Sequence, residues 1–169
     1  MDSDRRMTKS ASPATQRPLI LTVVLLPLLW WCLTLVVGAL GLMWDDIGDL
    51  VVTWNIVTAV GLILLIPAAL FAFNGVSELP HRSTFRRGRW YATAALSLTA
   101  LFCVLAASTP VLNAIAPPTQ RDPNSWSPVL TTGEEWVAAA PYAIFLLPVV
   151  FVLSKLWRVV PAVLPDEDR

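Results

Sequence analysis

The sequence predicts an all-α integral membrane protein, a multi-pass four-helix bundle with its N-terminus and C-terminus both in the cytoplasm. The chain has 169 residues, of which 56% are hydrophobic and only 14% are charged. Its apolar residues fall in four runs of more than twenty residues, and about 20 helical residues are enough to cross a bilayer core. Positive charge is concentrated in alternate polar segments between these runs. That alternation is what the positive-inside rule produces in a chain that crosses four times.

The distribution of charge sets the predicted orientation. Nine of the twelve lysines and arginines lie in the first, third and fifth polar segments, Lys155 and Arg158 lie at the end of the fourth span that adjoins the fifth segment, and Arg121 is the exception. Six of the twelve acidic residues lie in the second and fourth segments. Because cytoplasmic loops carry the excess of lysine and arginine, the first, third and fifth segments are predicted to be cytoplasmic.

The predicted order along the chain is a tail, four spans and a second tail. Residues 1–17 are polar without apolar periodicity, so a disordered cytoplasmic tail is expected there, and 161–169 form a short cytoplasmic tail. The apolar run that follows the first tail is too long for the core of a signal peptide and is interpreted as an uncleaved span. The transmembrane domain, 18–160, comprises spans at 18–43, 50–73, 90–115 and 136–160, extracytoplasmic loops at 44–49 and 116–135, and a cytoplasmic loop at 74–89.

Two local motifs predict helix ends. Asn74 and Gly75, followed by Pro80, are typical of a helix C-cap, so the second helix is expected to stop there. Thr132 and Glu135 match a capping box, in which a hydroxyl and a carboxylate each satisfy the other residue's backbone N–H. The fourth helix is therefore expected to start at Thr132.

The chemistry that the chain lacks excludes several classes of protein. No Asp or Glu lies inside a predicted span, which argues against a proton-coupled transporter. The single histidine, His81, excludes bis-histidine haem, and Cys32 and Cys103 do not form a CxxC pair. No catalytic or metal motif is present, so neither an enzyme nor a cofactor is predicted. A net charge of zero, with its cations in loops, gives no support to nucleic-acid binding.

Polar residues within the spans cluster by depth near the extracytoplasmic side. Candidate site residues are Asn55 in the second span and Ser108, Thr109 and Asn113 in the third. One interpretation is a small polar cavity that opens outward and holds a lipid headgroup, a small solute or a partner residue. The other is ordinary interhelical hydrogen bonding, worth about 0.6 kcal/mol per contact in membranes.

Trp30 and Trp31 are the remaining candidates, because they lie near the middle of the first span, where an indole N–H needs a partner. Adjacent residues point about 100° apart on a helix. One indole is therefore expected to pack inward and the other to bond to a neighbouring helix or contact a second protein.

Small residues recur at helical spacing on two spans. Because lipid tails are as apolar as leucine, close approach across small residues drives helix association in a bilayer. These faces are predicted to form the inside of the bundle or a docking face. They are Thr58, Gly61, Ala68 and Ala72 on the second span, and Thr93, Ser97, Ala100 and Ala107 on the third.

These observations favour a non-catalytic function. The first hypothesis is an accessory or assembly subunit of a larger membrane complex, with the lipid bilayer and other membrane subunits as partners. The alternative is a small transporter, channel or lipid-binding module that uses the outward polar cluster. Ten arginines against two lysines hint at a GC-rich bacterial genome, and the predicted location is a bacterial inner or plasma membrane.

The predicted topology is tested by reporter tags. Tags fused after Asp46 and after Gln120 should report from outside the membrane, and a tag after His81 should report from the cytoplasm. The physical reason is the excess of lysine and arginine in the first, third and fifth segments. A reversed or mixed order in the accessibility assay would contradict both the orientation and the four crossings.

Overall fold

The computed structural model describes residues 13–41, 44–81, 83–115 and 130–158. These residues form four α-helices: α1 at Pro13–Leu40, α2 at Trp44–Glu78, α3 at Phe85–Ile115 and α4 at Thr132–Arg158. All four helices are long and apolar enough to span a membrane, with mean hydropathies between 2.0 and 2.6. The prediction of an all-α protein with four candidate membrane-spanning helices is confirmed. The tails at 1–12 and 159–169 and most of the long loop, 116–129, lie outside the described residues.

The helices form an antiparallel bundle in which consecutive helices pack together and α1 also packs against α4. Hydrogen bonds join the end of α1 to the start of α2, from Thr34 to Asn55, and the end of α3 to the start of α4, from Asn113 to Glu135. This end of the bundle is called the acidic end, because its described charged residues are Asp49, Glu134 and Glu135. The opposite end, called the basic end, holds Arg17, Arg86, Arg87, Arg89, Lys155 and Arg158.

The outside of the bundle is apolar. Many large aliphatic side chains are more than half exposed, among them Ile63 at 77%, Leu147 at 71% and Leu40 at 63%. In water, contiguous apolar surface of this kind promotes association or aggregation. The surface is compatible with contact to lipid, in which it carries no such penalty.

Small residues bring α2 and α3 together near the basic end. Ala72 on α2 and Ala92 on α3 are both fully buried. At Gly75 a Cβ atom would lie 2.8 Å from the backbone nitrogen of Ala92, and at Gly88 it would lie 2.8 Å from that of Leu79. The two backbones approach so closely at these points that only glycine fits without a shift.

The expected C-cap at Asn74 and Gly75 is wrong. The helix continues to Glu78, and the Leu79 N–H donates to the Gly75 carbonyl at 3.0 Å. A glycine at C′ of a helix usually adopts positive φ, but among the described glycines only Gly41, which follows α1, does so. Gly75 allows α2 and α3 to pack closely. In the sequence, a glycine required for packing cannot be distinguished from a glycine that caps a helix.

The capping box at the start of α4 is displaced by one residue from the prediction. Thr131, not Thr132, is the N-cap: its N–H donates to the Glu134 carboxylate at 2.7 Å, and its hydroxyl accepts from the Glu134 N–H at 3.4 Å. Both threonines have a glutamate three residues later, so either pair satisfies the motif. Glu135 is consequently not used in the cap.

The predicted small residues lie inside the bundle on α2 but not on α3, where the docking-face alternative stays a prediction. On α2 all four of the predicted small residues are buried. On α3 Ser97 is exposed, and Thr93, Ala100 and Ala107 are only partly buried. The buried small residues of α3 are Gly88, Ala92, Ala95, Thr99, Cys103 and Ala106. Small side chains occur all around this helix, so their spacing alone does not identify the inner face.

A methyl group at the α2–α3 contact should destabilise the bundle. Gly75→Ala places a Cβ against the Ala92 backbone, so the helices must separate, and we expect the free energy of unfolding to fall by about 1–3 kcal/mol, as in other overpacked cores. Circular dichroism during unfolding in mixed micelles measures the change. Gly133→Ala is the matched control, because the space around Gly133 is open. Equal stability of the two variants would contradict the close approach.

Candidate functional site

A polar and aromatic cluster lies deep between α2 and α4. Tyr142 is only 1% exposed, and its hydroxyl is 2.9 Å from that of Thr58 and 3.4 Å from the Trp54 carbonyl. The Trp54 indole N–H in turn donates to the Ala138 carbonyl at 3.0 Å. Trp54 and Tyr142 each lie ten residues from the start of their helix, which corresponds to a depth of about 15 Å. Several polar groups near the middle of the bundle therefore have hydrogen-bond partners.

Aromatic rings surround this hydrogen-bonded cluster. Trp30 meets Trp54 edge to face at a centroid distance of 4.9 Å and Phe145 at 6.4 Å. Phe102 and Tyr142 meet in the same way at 5.4 Å. Such edge-to-face pairs stabilise a core beyond their area burial.

Above the cluster, toward the acidic end, is a cavity of about 240 Å³, which we call the crevice. It lies between α2, α3 and α4. One carboxylate, one side-chain amide and two threonine hydroxyls line it among mostly apolar groups. The lining residues are Thr53, Trp54, Ile56, Val57, Ala106, Thr109, Asn113, Leu130, Glu135, Ala138, Ala139 and Tyr142.

A second cavity of about 310 Å³, which we call the groove, adjoins the crevice between α2 and α3. Four residues line both spaces: Ile56, Val57, Ala106 and Thr109. Beyond them the groove is lined by Val60, Gly61, Leu64, Phe102 and Leu105. Val60 and Leu105 are 66% and 54% exposed, so the groove opens sideways through the outer surface of the bundle.

Two of the sequence-predicted site residues, Thr109 and Asn113, line the crevice. Asn113 donates to the Glu135 carboxylate at 2.9 Å. The Thr109 hydroxyl donates to the Ala106 carbonyl at 3.1 Å. This is the carbonyl that Pro110 leaves without its helical N–H donor. Thr109 therefore repairs the helix at the crevice wall, and Asn113 orients the carboxylate.

Asn55 and Ser108 lie elsewhere. The Asn55 side chain accepts from the Thr34 hydroxyl and donates to the Val51 carbonyl, both at 3.0 Å, so it joins α2 to α1. Ser108 donates to the Leu105 carbonyl of its own helix at 2.9 Å. Neither residue is part of the crevice lining. The four polar residues share a depth, but they do not share a face of the bundle.

Trp30 fits the prediction that one of the two adjacent tryptophans packs inward, but the predicted hydrogen bond of Trp30 or Trp31 is not observed. Trp30 packs inward against α2 and α4. Both indole nitrogens are buried, and neither has a hydrogen-bond partner among the described residues. The predicted bond from one of them to a neighbouring helix is therefore wrong for this part of the chain. The Trp30 ring instead makes edge-to-face contacts with Trp54 and Phe145.

Sequence reasoning missed Trp54, Tyr142 and Glu135 as site residues. The predicted second span starts at residue 50, which places Trp54 about one turn from the interface, whereas α2 begins earlier, at Trp44. The signal that was available is spacing: Trp54 and Thr58 are four residues apart and therefore share a helix face. Glu135 was assigned to the cap, and nothing in its local sequence points to the crevice.

The residues that line the crevice are better suited to binding a ligand than to catalysing a reaction. It combines apolar walls with few polar groups, which is the usual composition of a ligand pocket. Its one carboxylate, Glu135, is half-buried and hydrogen-bonded on one side. Within the described ranges, no group of three or more His, Cys, Asp or Glu side chains is placed to hold a metal ion. An amphipathic or cationic ligand matches these groups.

The buried hydroxyl pair should contribute measurably to stability. Thr58→Val and Tyr142→Phe each remove one hydroxyl with little change of shape. We expect a double-mutant cycle on the free energy of unfolding to give a coupling of about 0.6–1.7 kcal/mol, the range measured for such bonds in a membrane protein. If the effects of the two substitutions on the free energy of unfolding add to within about 0.3 kcal/mol, the hydroxyls do not bond to each other.

Comparison with known proteins finds no relative: no protein-family model, no curated protein and no solved structure matches the chain.

Proposed function

We propose that this chain is a non-catalytic, multi-pass membrane protein that binds a lipid through the crevice and the groove. The observation that carries the proposal is that the two spaces adjoin each other and share four lining residues. The crevice holds Asn113 and Glu135 near the acidic end, whereas the groove is lined almost entirely by apolar side chains. A molecule with a polar head and an apolar tail matches this gradient.

The length of the combined space supports a lipid tail as its occupant. Thr53 lines the crevice, and Leu64 lines the groove. Eleven residues along α2 separate them, a rise of about 16 Å. The hydrocarbon core of a bilayer is about 30 Å thick, so the space is about as deep as one leaflet.

The sideways opening favours a lipid over a water-soluble solute. Val60 and Leu105, at the lip of the groove, are among the exposed aliphatic residues of the bundle exterior. If that exterior faces hydrocarbon, molecules reach the groove from within the bilayer. A lipid then enters without leaving its own phase, and a polar solute would have to cross apolar surface.

A binding role accounts for the described lining better than catalysis does. General acid–base or nucleophilic chemistry needs a second group within hydrogen-bond reach of the first. Glu135 has the amide of Asn113 as its side-chain partner, and a neutral amide is not a base for such a step. Tyr142, at the bottom of the crevice, is engaged with Thr58.

The proposed location is a bacterial inner or plasma membrane, with both termini in the cytoplasm and the acidic end outside. The described cations lie at one end of the bundle, and the carboxylates of Asp49, Glu134 and Glu135 lie at the other. Cytoplasmic ends carry the excess of lysine and arginine. The predominance of arginine over lysine in the composition supports a bacterial source.

The second candidate function is an accessory or assembly subunit of a larger membrane complex. One observation favours it. The Trp31 side chain is only partly buried, and Cys32 and Leu33 beside it are exposed. Because tryptophan is enriched at protein interfaces, this stretch of α1 is a suitable surface for a second membrane protein.

Blocking the junction of the two spaces should reduce lipid binding. Ala106 lines both the crevice and the groove, so Ala106→Leu fills their shared volume. We expect retained phospholipid after gentle extraction to fall about tenfold, the effect of about 1.4 kcal/mol. Native mass measurement counts the bound lipids. The same spectrum tests the second candidate, since an accessory subunit should be found with a larger partner.

Two further variants make this experiment decisive. Ala59→Leu is the matched control, because Ala59 is exposed at a similar depth and lines neither space. Leu105→Trp obstructs the exposed lip of the groove without entering the core, and it covers the case in which Ala106→Leu fails to fold. Retention of lipid at the control level in both folded blocking variants would refute the proposal.

A further inference from the structure

Glu135 is a half-buried carboxylate on the wall of the crevice. It lies in the first turn of α4, where Thr131 and Glu134 already form the cap. Its described hydrogen bond is the one it accepts from Asn113, at 2.9 Å through one oxygen. An ionised carboxylate can accept about four hydrogen bonds. Glu135 therefore retains acceptor capacity on the side of the crevice.

A carboxylate in a partly apolar cavity favours a cationic partner. Removing a charge from water is costly unless the charge is paired. The cations that the structure describes all lie at the basic end, and a helix as long as α4 separates the two ends by about 40 Å. None of those side chains reaches the crevice. A cationic ligand in the crevice is placed to supply the complementary charge.

We infer that the crevice selects lipids whose headgroup carries an ammonium group, with Glu135 as the acceptor and Asn113 holding its carboxylate in place. This inference rests on the proposed lipid-binding function and adds the chemistry of the head. Charge-assisted hydrogen bonds between N⁺–H and carboxylate are about twice as strong as neutral ones. The apolar groove below Glu135 receives the acyl chain, so the ammonium and the tail are recognised together.

The inference predicts a headgroup preference that Glu135 controls. The protein is purified in mild detergent and offered equimolar phosphatidylethanolamine, phosphatidylglycerol and diacylglycerol with identical acyl chains. Native mass measurement should show phosphatidylethanolamine retained about tenfold over each of the others, as expected for one charge-assisted bond. Glu135→Gln should remove this preference and still bind lipid, because the groove is unchanged.

Glu134→Gln is the matched control. Glu134 is the adjacent carboxylate, exposed and outside the crevice lining, and glutamine preserves a capping box. The variant should keep the full preference for phosphatidylethanolamine. A loss of preference equal to that of Glu135→Gln would show that nonspecific surface charge sets the selectivity, and the inference would fail.

The remaining outcomes separate this inference from the proposed function. If all three lipids are retained equally, lipid binding stands and ammonium recognition is refuted. If phosphatidylethanolamine and diacylglycerol bind equally and only phosphatidylglycerol is excluded, Glu135 repels anions and does not bind ammonium. If free ethanolamine displaces the lipid at equal concentration, the site takes a small amine and not a lipid. If no lipid is retained at all, the proposed function itself fails.

Discussion

Hydrocarbon offers no hydrogen-bond partner, so a polar group that these helices carry into a bilayer is stabilised when it finds a partner within the bundle. Where Pro110 leaves the Ala106 carbonyl without its helical donor, the neighbouring Thr109 hydroxyl donates to it. Where α2 carries the Trp54 indole to mid-depth, the Ala138 carbonyl of α4 accepts its N–H. Each bond fixes a side chain in one orientation. The same constraint that permits polar residues in the core therefore determines which of them face a cavity.

The two ends of the bundle meet the packing constraint in different ways, and the crevice results from the difference. Near the basic end, residues as small as Gly75 and Ala92 let the α2 and α3 backbones touch. Toward the acidic end, rings such as Trp54, Phe102 and Tyr142 occupy the centre. Rigid rings cannot fill space as evenly as methyl groups. The crevice lies between α2, α3 and α4 toward this end, with the aromatic cluster as its floor.

The fold was predictable where a physical requirement can be read directly from the order of residues in the sequence. Crossing hydrocarbon requires about 20 apolar residues in a row, and four such runs gave four helices. The inner face of α2 was predictable because small residues such as Thr58 and Gly61 stand out among large aliphatic ones. On α3 small residues lie on every side, so spacing selected Ser97 although the structure buries Thr99. The contacts of α3 with α2 and α4 determine which of its faces is buried, and sequence spacing alone does not show those contacts.

The candidate site depends on a similar choice at the start of α4, between two local signals of equal strength. Thr131 and Thr132 are each followed three residues later by a glutamate, so either pair can form a capping box. In the structure Thr131 forms it and takes the Glu134 carboxylate. Had Thr132 formed it, the Glu135 carboxylate would turn back toward the Thr132 N–H at the start of the helix. The bond between Glu135 and Asn113 links α4 to α3 and favours the first arrangement. A tertiary contact thus decides which carboxylate lines the crevice, and the local sequence leaves that decision open.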